Sequence, residues 1–126
     1  MKYVLESGQH LDECEPGDEI IVNSGAVAEY CDHATIIVNK GGSAKCCCHS
    51  VIIVNDGEAT GCRHSTITIN EGGSANFCDH ATIIVNDGAE AFDCHRSVIT
   101  VNTGGRAVEC HRSVITEVAN EGGDLH

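Results

Sequence analysis

Apolar and polar residues alternate along this chain in short runs. Residues 50 to 55 read Ser-Val-Ile-Ile-Val-Asn, and near-copies of that run appear before and after it as "TIIVN", "TITIN" and "SVITVN". Side chains of a strand point alternately to its two faces. Ser50, Ile52 and Val54 therefore share one face, and Val51, Ile53 and Asn55 the other. In the copies from residue 34 onward the first set is Ala or Ser, then Ile, then, apart from the last copy, Val or Ile. That uniformity predicts a core. The second set varies among Thr, Val and Ile, which predicts a surface. Each run ends in Asn-x-Gly, the mark of a turn, and repeated glycines at that point exclude a helix.

The runs belong to a repeat. Asn-x-Gly begins at Asn23, Asn39, Asn55, Asn70, Asn86, Asn102 and Asn120, in steps of 16, 16, 15, 16, 16 and 18 residues. Three other series keep phase with it: Cys31, Cys47, Cys62, Cys78, Cys94 and Cys110; Ile36 to Ile115; and Ala28 to Ala107. A fixed short period means stacked units, and sixteen residues are too few for two helices and a turn. The expected fold is all-β: one domain, a parallel β-solenoid of about six coils of 16 residues with two main sheets. Each coil buries its apolar side against its neighbours. Cys and Ile lie five apart, an odd separation, so a corner must separate them; Asp32-His33, Cys48-His49 and Asp79-His80 are the candidates. The Ala and Cys series would line the wall opposite Ile. The asparagines would form a ladder of stacked amides. Residues 1–17, acidic and holding the single Pro, read as an N-terminal cap, residues 18–116 as the solenoid, and residues 117–126 as a C-terminal cap or tail.

Composition narrows the picture. With no Trp, two Tyr and two Phe, the interior must be thin. The formal charge of −12 speaks against direct nucleic-acid binding, which needs a basic face, and fits a soluble protein that meets a basic partner. No run is long and apolar enough for a membrane span or a secretory leader. The nine cysteines are odd in number, so reduced thiols in a cytoplasm are expected. A secreted chain whose leader has been removed would read the same way.

A cysteine on every coil reads first as a small buried hydrophobe. Stacked neighbours ~4.8 Å apart sit too far apart for disulfides. Cys-x-His pairs suggest a second reading. Cys46 and Cys48 flank Cys47, and with His33, His49 and His64 beside them they form a candidate zinc set. Cys-x-x-Cys is absent, however, and a plain stack of surface histidines is the competing expectation. No other cofactor is implied. Cys beside His also suggests a nucleophile, but six equivalent copies leave no special pocket, so no catalytic residue is assigned and no enzyme is expected.

The outward positions of the long strand are Thr35/Ile37, Val51/Ile53, Thr66/Thr68, Thr82/Ile84, Val98/Thr100 and Val114/Thr116. None is charged. A flat semi-apolar strip on an acidic rod predicts an interface, with a protein partner or with a second copy as a homodimer. The strip resembles the face of ice-binding β-solenoids, and the Asn- and Gly-rich repeat is similar to the β-rolls of plant ice-binding proteins. That resemblance implies ice binding through these twelve residues, although Thr-x-Thr occurs only at Thr66/Thr68. Between Arg63 and Arg96 there is no Lys or Arg, and the interval holds the acids Glu71, Asp79, Asp87, Glu90 and Asp93. A rigid acidic solenoid resembles the pentapeptide-repeat DNA mimics and some phage-type inhibitors. This implies an inhibitor that occupies the basic groove of a nucleic-acid-binding protein. The leading expectation is thus a non-enzymatic binding protein acting through its acidic and flat faces.

Overall fold

The computed structural model describes residues 2–117. Strands of four and three residues alternate: β1 (Lys2–Leu5), β2 (His10–Asp12), β3 (Glu19–Val22), β4 (Val27–Glu29), β5 (Thr35–Val38), β6 (Ser43–Lys45), β7 (Val51–Val54), β8 (Glu58–Thr60), β9 (Thr66–Ile69), β10 (Ser74–Asn76), β11 (Thr82–Val85), β12 (Glu90–Phe92), β13 (Val98–Val101), β14 (Arg106–Val108) and β15 (Val114–Glu117). The odd-numbered strands form an eight-stranded parallel sheet, A, and the even-numbered ones a seven-stranded parallel sheet, B. Each strand pairs with the one two places on, so every pair of strands is one coil of a β-solenoid. None of the described residues forms a helix long and apolar enough to cross a membrane.

Identical residues stack. Ile36, Ile52, Ile67, Ile83 and Ile99 are mutual Cα partners along sheet A. Ala44, Ala59, Ala75 and Ala91 do the same along sheet B. The fifteen-residue step leaves this register intact because the deletion falls in a turn. Asn55-Asp56-Gly57 stands where another coil has Asn39-Lys40-Gly41-Gly42, and Asp56 takes a φ of 55° where Gly41 has 78°. Asp tolerates this left-handed backbone better than most residues.

Residues 2–17, expected as a cap, run as a coil of the same kind. Lys2–Leu5 pairs with Glu19–Val22, and His10–Asp12 with Val27–Glu29. The described residues therefore make seven coils and one further strand where about six coils were expected. The sequence hid the first coil because Glu6 replaces Asn and Leu11 replaces Ala in the repeat positions. Of the expected C-terminal segment, only Glu117 lies within the described residues.

The interior is a narrow sandwich. Sheet A contributes the Ile column and, two residues on, Val22, Val38, Val54, Ile69, Val85 and Val101. Sheet B contributes Ala28, Ala44, Ala59, Ala75 and Ala91, and the corner after it contributes Cys31, Cys47, Cys62, Cys78, Cys94 and Cys110, all buried. Small residues on the short sheet let it close onto the branched residues of the long one. Fully burying each Ile is worth about 1.5–3 kcal/mol. Where the chain enters sheet A, Ser50, Ser65 and Ser97 are also buried. Their hydroxyls are used: Ser50 Oγ donates to Cys31 O at 2.9 Å and accepts from Ala34 N at 3.2 Å. Among the described residues no buried side-chain nitrogen or oxygen lacks a partner.

The asparagine ladder closes the other edge. Each amide nitrogen donates to the side-chain oxygen one coil earlier: Asn39 to Asn23 at 2.9 Å, Asn55 to Asn39 at 3.4 Å, Asn70 to Asn55 at 2.7 Å, Asn86 to Asn70 at 2.9 Å and Asn102 to Asn86 at 2.6 Å. Asn23 donates in turn to Glu6 Oε1 at 3.3 Å. A carboxylate suits that end, because it only accepts.

Candidate binding faces

The corners fix which side chains face out of sheet A. In β7 Ile52 and Val54 are buried while Val51 is exposed and Ile53 half buried; β3, β5, β9 and β13 repeat the pattern, in β11 Ile84 is exposed as well, and in β15 all four residues are exposed. Strand pairing then aligns two outward columns. One is Thr35, Val51, Thr66, Thr82, Val98 and Val114; the other is Ile37, Ile53, Thr68, Ile84, Thr100 and Thr116. Six strands at ~4.8 Å make a strip about 24 Å long. It has no formal charge. Toward β1 the columns continue as Glu19 and Lys2, and as Ile21 and Val4. The strip lies between the asparagine ladder and a column of His33, His49, His64 and His80.

Those histidines stack. Successive ring centroids are 5.1 Å apart, with interplanar angles of 4°, 5° and 10°. Each ring is exposed and each residue has φ near 56°. The zinc set predicted from sequence is not gathered into one site: among the described residues no three His, Cys, Asp or Glu side chains converge on a metal position. The reason is the stack itself. Tetrahedral zinc with Zn–N bonds of ~2.0–2.1 Å needs ligand nitrogens roughly 3.4 Å apart, closer than parallel rings at 5.1 Å. Cys46 and Cys48 lie on either side of buried Cys47, both half-buried and free. Burial also pushes the Cys46 thiol up, away from the thiolate that a metal needs.

The buried thiols are used as packing with weak polar ties. Cys47 Sγ lies 3.4 Å from Lys45 O and 3.6 Å from Ala28 O, and Cys62 N donates to Cys78 Sγ at 3.4 Å. Burial pushes the Cys31 thiol up; the Cys62 thiol beside it and burial do the same to Cys47. All nine cysteines are free.

The five acids of the interval 64–95 fall on different sides. Glu71 and Asp87 stand on neighbouring coils in the Asn-x-Gly turns. Glu90 is on sheet B, where Arg106 approaches to 3.8 Å. Asp93 follows sheet B and lies 3.3 Å from His95 Nε2. Asp79 sits in the cysteine corner, where its carboxylate accepts from His95 N at 2.9 Å, as Asp32 does from Cys48 N. These carboxylates form no single row.

The sequence reading missed the corner's backbone. Two residues per coil there have positive φ without being glycine, among them Tyr30 and His33, Cys46 and His49, and Phe77 and His80. Gly61, at φ 67°, occupies the Tyr30 and Phe77 position in one coil. Gly17, at φ 90°, likewise occupies the His33 position in the first coil, and these two glycines were the available signal.

No family model matches the chain, and no curated protein matches it. Among solved structures, a TibC-catalysed hyper-glycosylated TibA fragment (residues 55–350) is similar at a TM-score of 0.60 and 18% identity, over 95% of this chain and 57% of that one. The chain thus spans little more than half of that structure's length. A suspected glycosyl hydrolase from Parabacteroides merdae aligns over 100% of this chain and 84% of its own, at a TM-score of 0.38 and 11% identity, too distant to carry an argument. At these identities the likeness concerns the fold: the chain is a short-repeat parallel β-solenoid.

Proposed function

We propose that this solenoid is a non-enzymatic binding protein and that the outer strip of sheet A is the surface that meets a protein partner. The observation that supports it is the pair of in-register, uncharged columns from Thr35 to Val114 and from Ile37 to Thr116. An uncharged strip of this length on a chain of net charge −12 is unusual for a surface in contact only with water. The chain's net negative charge favours a partner that is flat and apolar at its centre and basic at its margin. The test is association at low salt, for wild type and for Thr82→Lys, which puts a charge mid-strip. Capture of a basic protein by wild type, weakened by salt and lost in the variant, supports the reading. Equal capture by both, or none, overturns it.

A second reading rests on the same columns. Threonine methyls and hydroxyls repeating at the coil rise on a rigid sheet offer the kind of lattice that ice binding requires. Thermal hysteresis separates the two: a zero value at millimolar protein removes ice binding. The dispersal of Glu71, Asp79, Asp87, Glu90 and Asp93 over different edges gives less support to a mimic of duplex phosphates, which needs carboxylates in rows.

A further inference from the structure

Three of the four aromatic residues lie outside the core. Tyr30 and Phe77 are 52% and 54% exposed, and Phe92 is half buried on the outer face of sheet B. Tyr30 and Phe77 also have φ of 58° and 57°, a backbone that penalises nearly every residue except glycine. Folding gains little from an exposed ring on a strained backbone.

The two rings share one column at the cysteine corner. Backbone bonds carry it from coil to coil: Tyr30 N to Lys45 O, Cys46 N to Thr60 O, Gly61 N to Asn76 O and Phe77 N to Phe92 O. The rings therefore stand three coil rises apart, about 14 Å at ~4.8 Å per coil. Between them lie only the small side chain of Cys46 and the bare backbone of Gly61. Beside Tyr30 is an open hollow lined by Glu13, Cys14, Pro16, Asp32 and His33. Alongside the column run the stacked imidazoles, one every 5.1 Å.

We propose that this edge binds a linear, uncharged polysaccharide lying along the rod, with one sugar ring packed on Tyr30 and another on Phe77. The apolar C–H face of a pyranose packs on an aromatic ring, and its hydroxyls find a donor or acceptor on each exposed imidazole. An extended glycan advances by about one coil rise per sugar, so successive sugars meet equivalent positions. The net charge of −12 disfavours a polyanion. A protein partner would need about 800 Å² from this side, more than two separated rings of about 150–250 Å² each provide.

The test is affinity electrophoresis of the full chain in gels containing hydroxyethyl cellulose, xylan or galactomannan, with heparin as the anionic control. Tyr30→Gly and Phe77→Gly remove the rings and place at each site the residue found natively at Gly61. Wild type should be retarded by at least one neutral polymer, and each variant should bind about tenfold more weakly, as the loss of one stacked ring implies. Their unfolding temperatures should match or exceed wild type, because Gly relieves the positive φ. No retardation in any neutral gel, retardation by heparin alone, or unchanged binding by both variants would overturn the proposal.

Discussion

Replacing Asn70 tests whether the amide ladder holds the coils together or merely decorates their edge. Asn70 Nδ2 donates to Asn55 Oδ1 at 2.7 Å, and Asn70 Oδ1 accepts from Asn86 Nδ2 at 2.9 Å. Asn70→Ala removes both bonds and strands one half-buried acceptor and one half-buried donor. At about 1 kcal/mol per net hydrogen bond the loss is about 2 kcal/mol. For a domain of this size that lowers the unfolding temperature by roughly 8 °C. Urea unfolding followed by circular dichroism gives the free energy, and calorimetry the temperature. Asn70→Asp sharpens the test. Its carboxylate still accepts from Asn86 but faces Asn55 Oδ1 with no proton to donate. The charged form is disfavoured, so the folded-state pKa lies above the unfolded one. The stabilisation contributed by the protonated acid is then fully present at low pH and is lost as pH rises through the folded value. Asn70→Asp should be less stable than Asn70→Ala at pH 7 and should gain on it as the solution is acidified toward pH 4. A change below about 0.5 kcal/mol in Asn70→Ala, the range of neutral surface substitutions, would refute the ladder's structural role.

Other consequences are equally open to measurement. Iodoacetamide should alkylate at most Cys14, Cys46 and Cys48 in the folded protein, and all nine thiols after unfolding; mass spectrometry of a fourth native adduct would contradict the buried ladder. Ile67→Ala, at a fully buried position, should cost about 2–5 kcal/mol in urea unfolding, and a cost under 1 kcal/mol would mean the interior is not close-packed. A methyl added at Gly57 would meet Val38 Cγ1 at 2.6 Å and Asn39 O at 2.8 Å, so Gly57→Ala should destabilise by about 1–3 kcal/mol. Alanine is already accommodated at Ala26 and Ala89, in turns one residue longer, so the same stability for Gly57→Ala as for wild type would show that the short turn has room. Thr82→Lys should leave stability within about 0.5 kcal/mol of wild type, so any loss of association reports on the strip.

The sequence alone determined the architecture of this protein. Four residue series in phase at one short period admit few solutions, and strand alternation then assigns Ile36 and Ile52 inward and Thr35 and Val51 outward with no further information. The odd spacing of Cys47 and Ile52 even located the corner at Cys48-His49. Tertiary structure decided what the repeat does not encode. Residues 2–17 join the stack through backbone pairing that tolerates Glu6 and Leu11, so their coil was invisible to side-chain matching. His33, His49 and His64 stand 5.1 Å apart in parallel because the sheet rise sets their spacing, wider than the roughly 3.4 Å between ligand nitrogens of a tetrahedral zinc. Asp79 and Glu90 fall on different edges because sixteen residues wind once around the rod, so neighbours in sequence face different ways. The positive φ of Tyr30 and Phe77 follows from where the corner must turn, and at that position only Gly61, in another coil, hinted at it. Pattern fixes which residues stack; only the closed coil fixes which direction each stack faces.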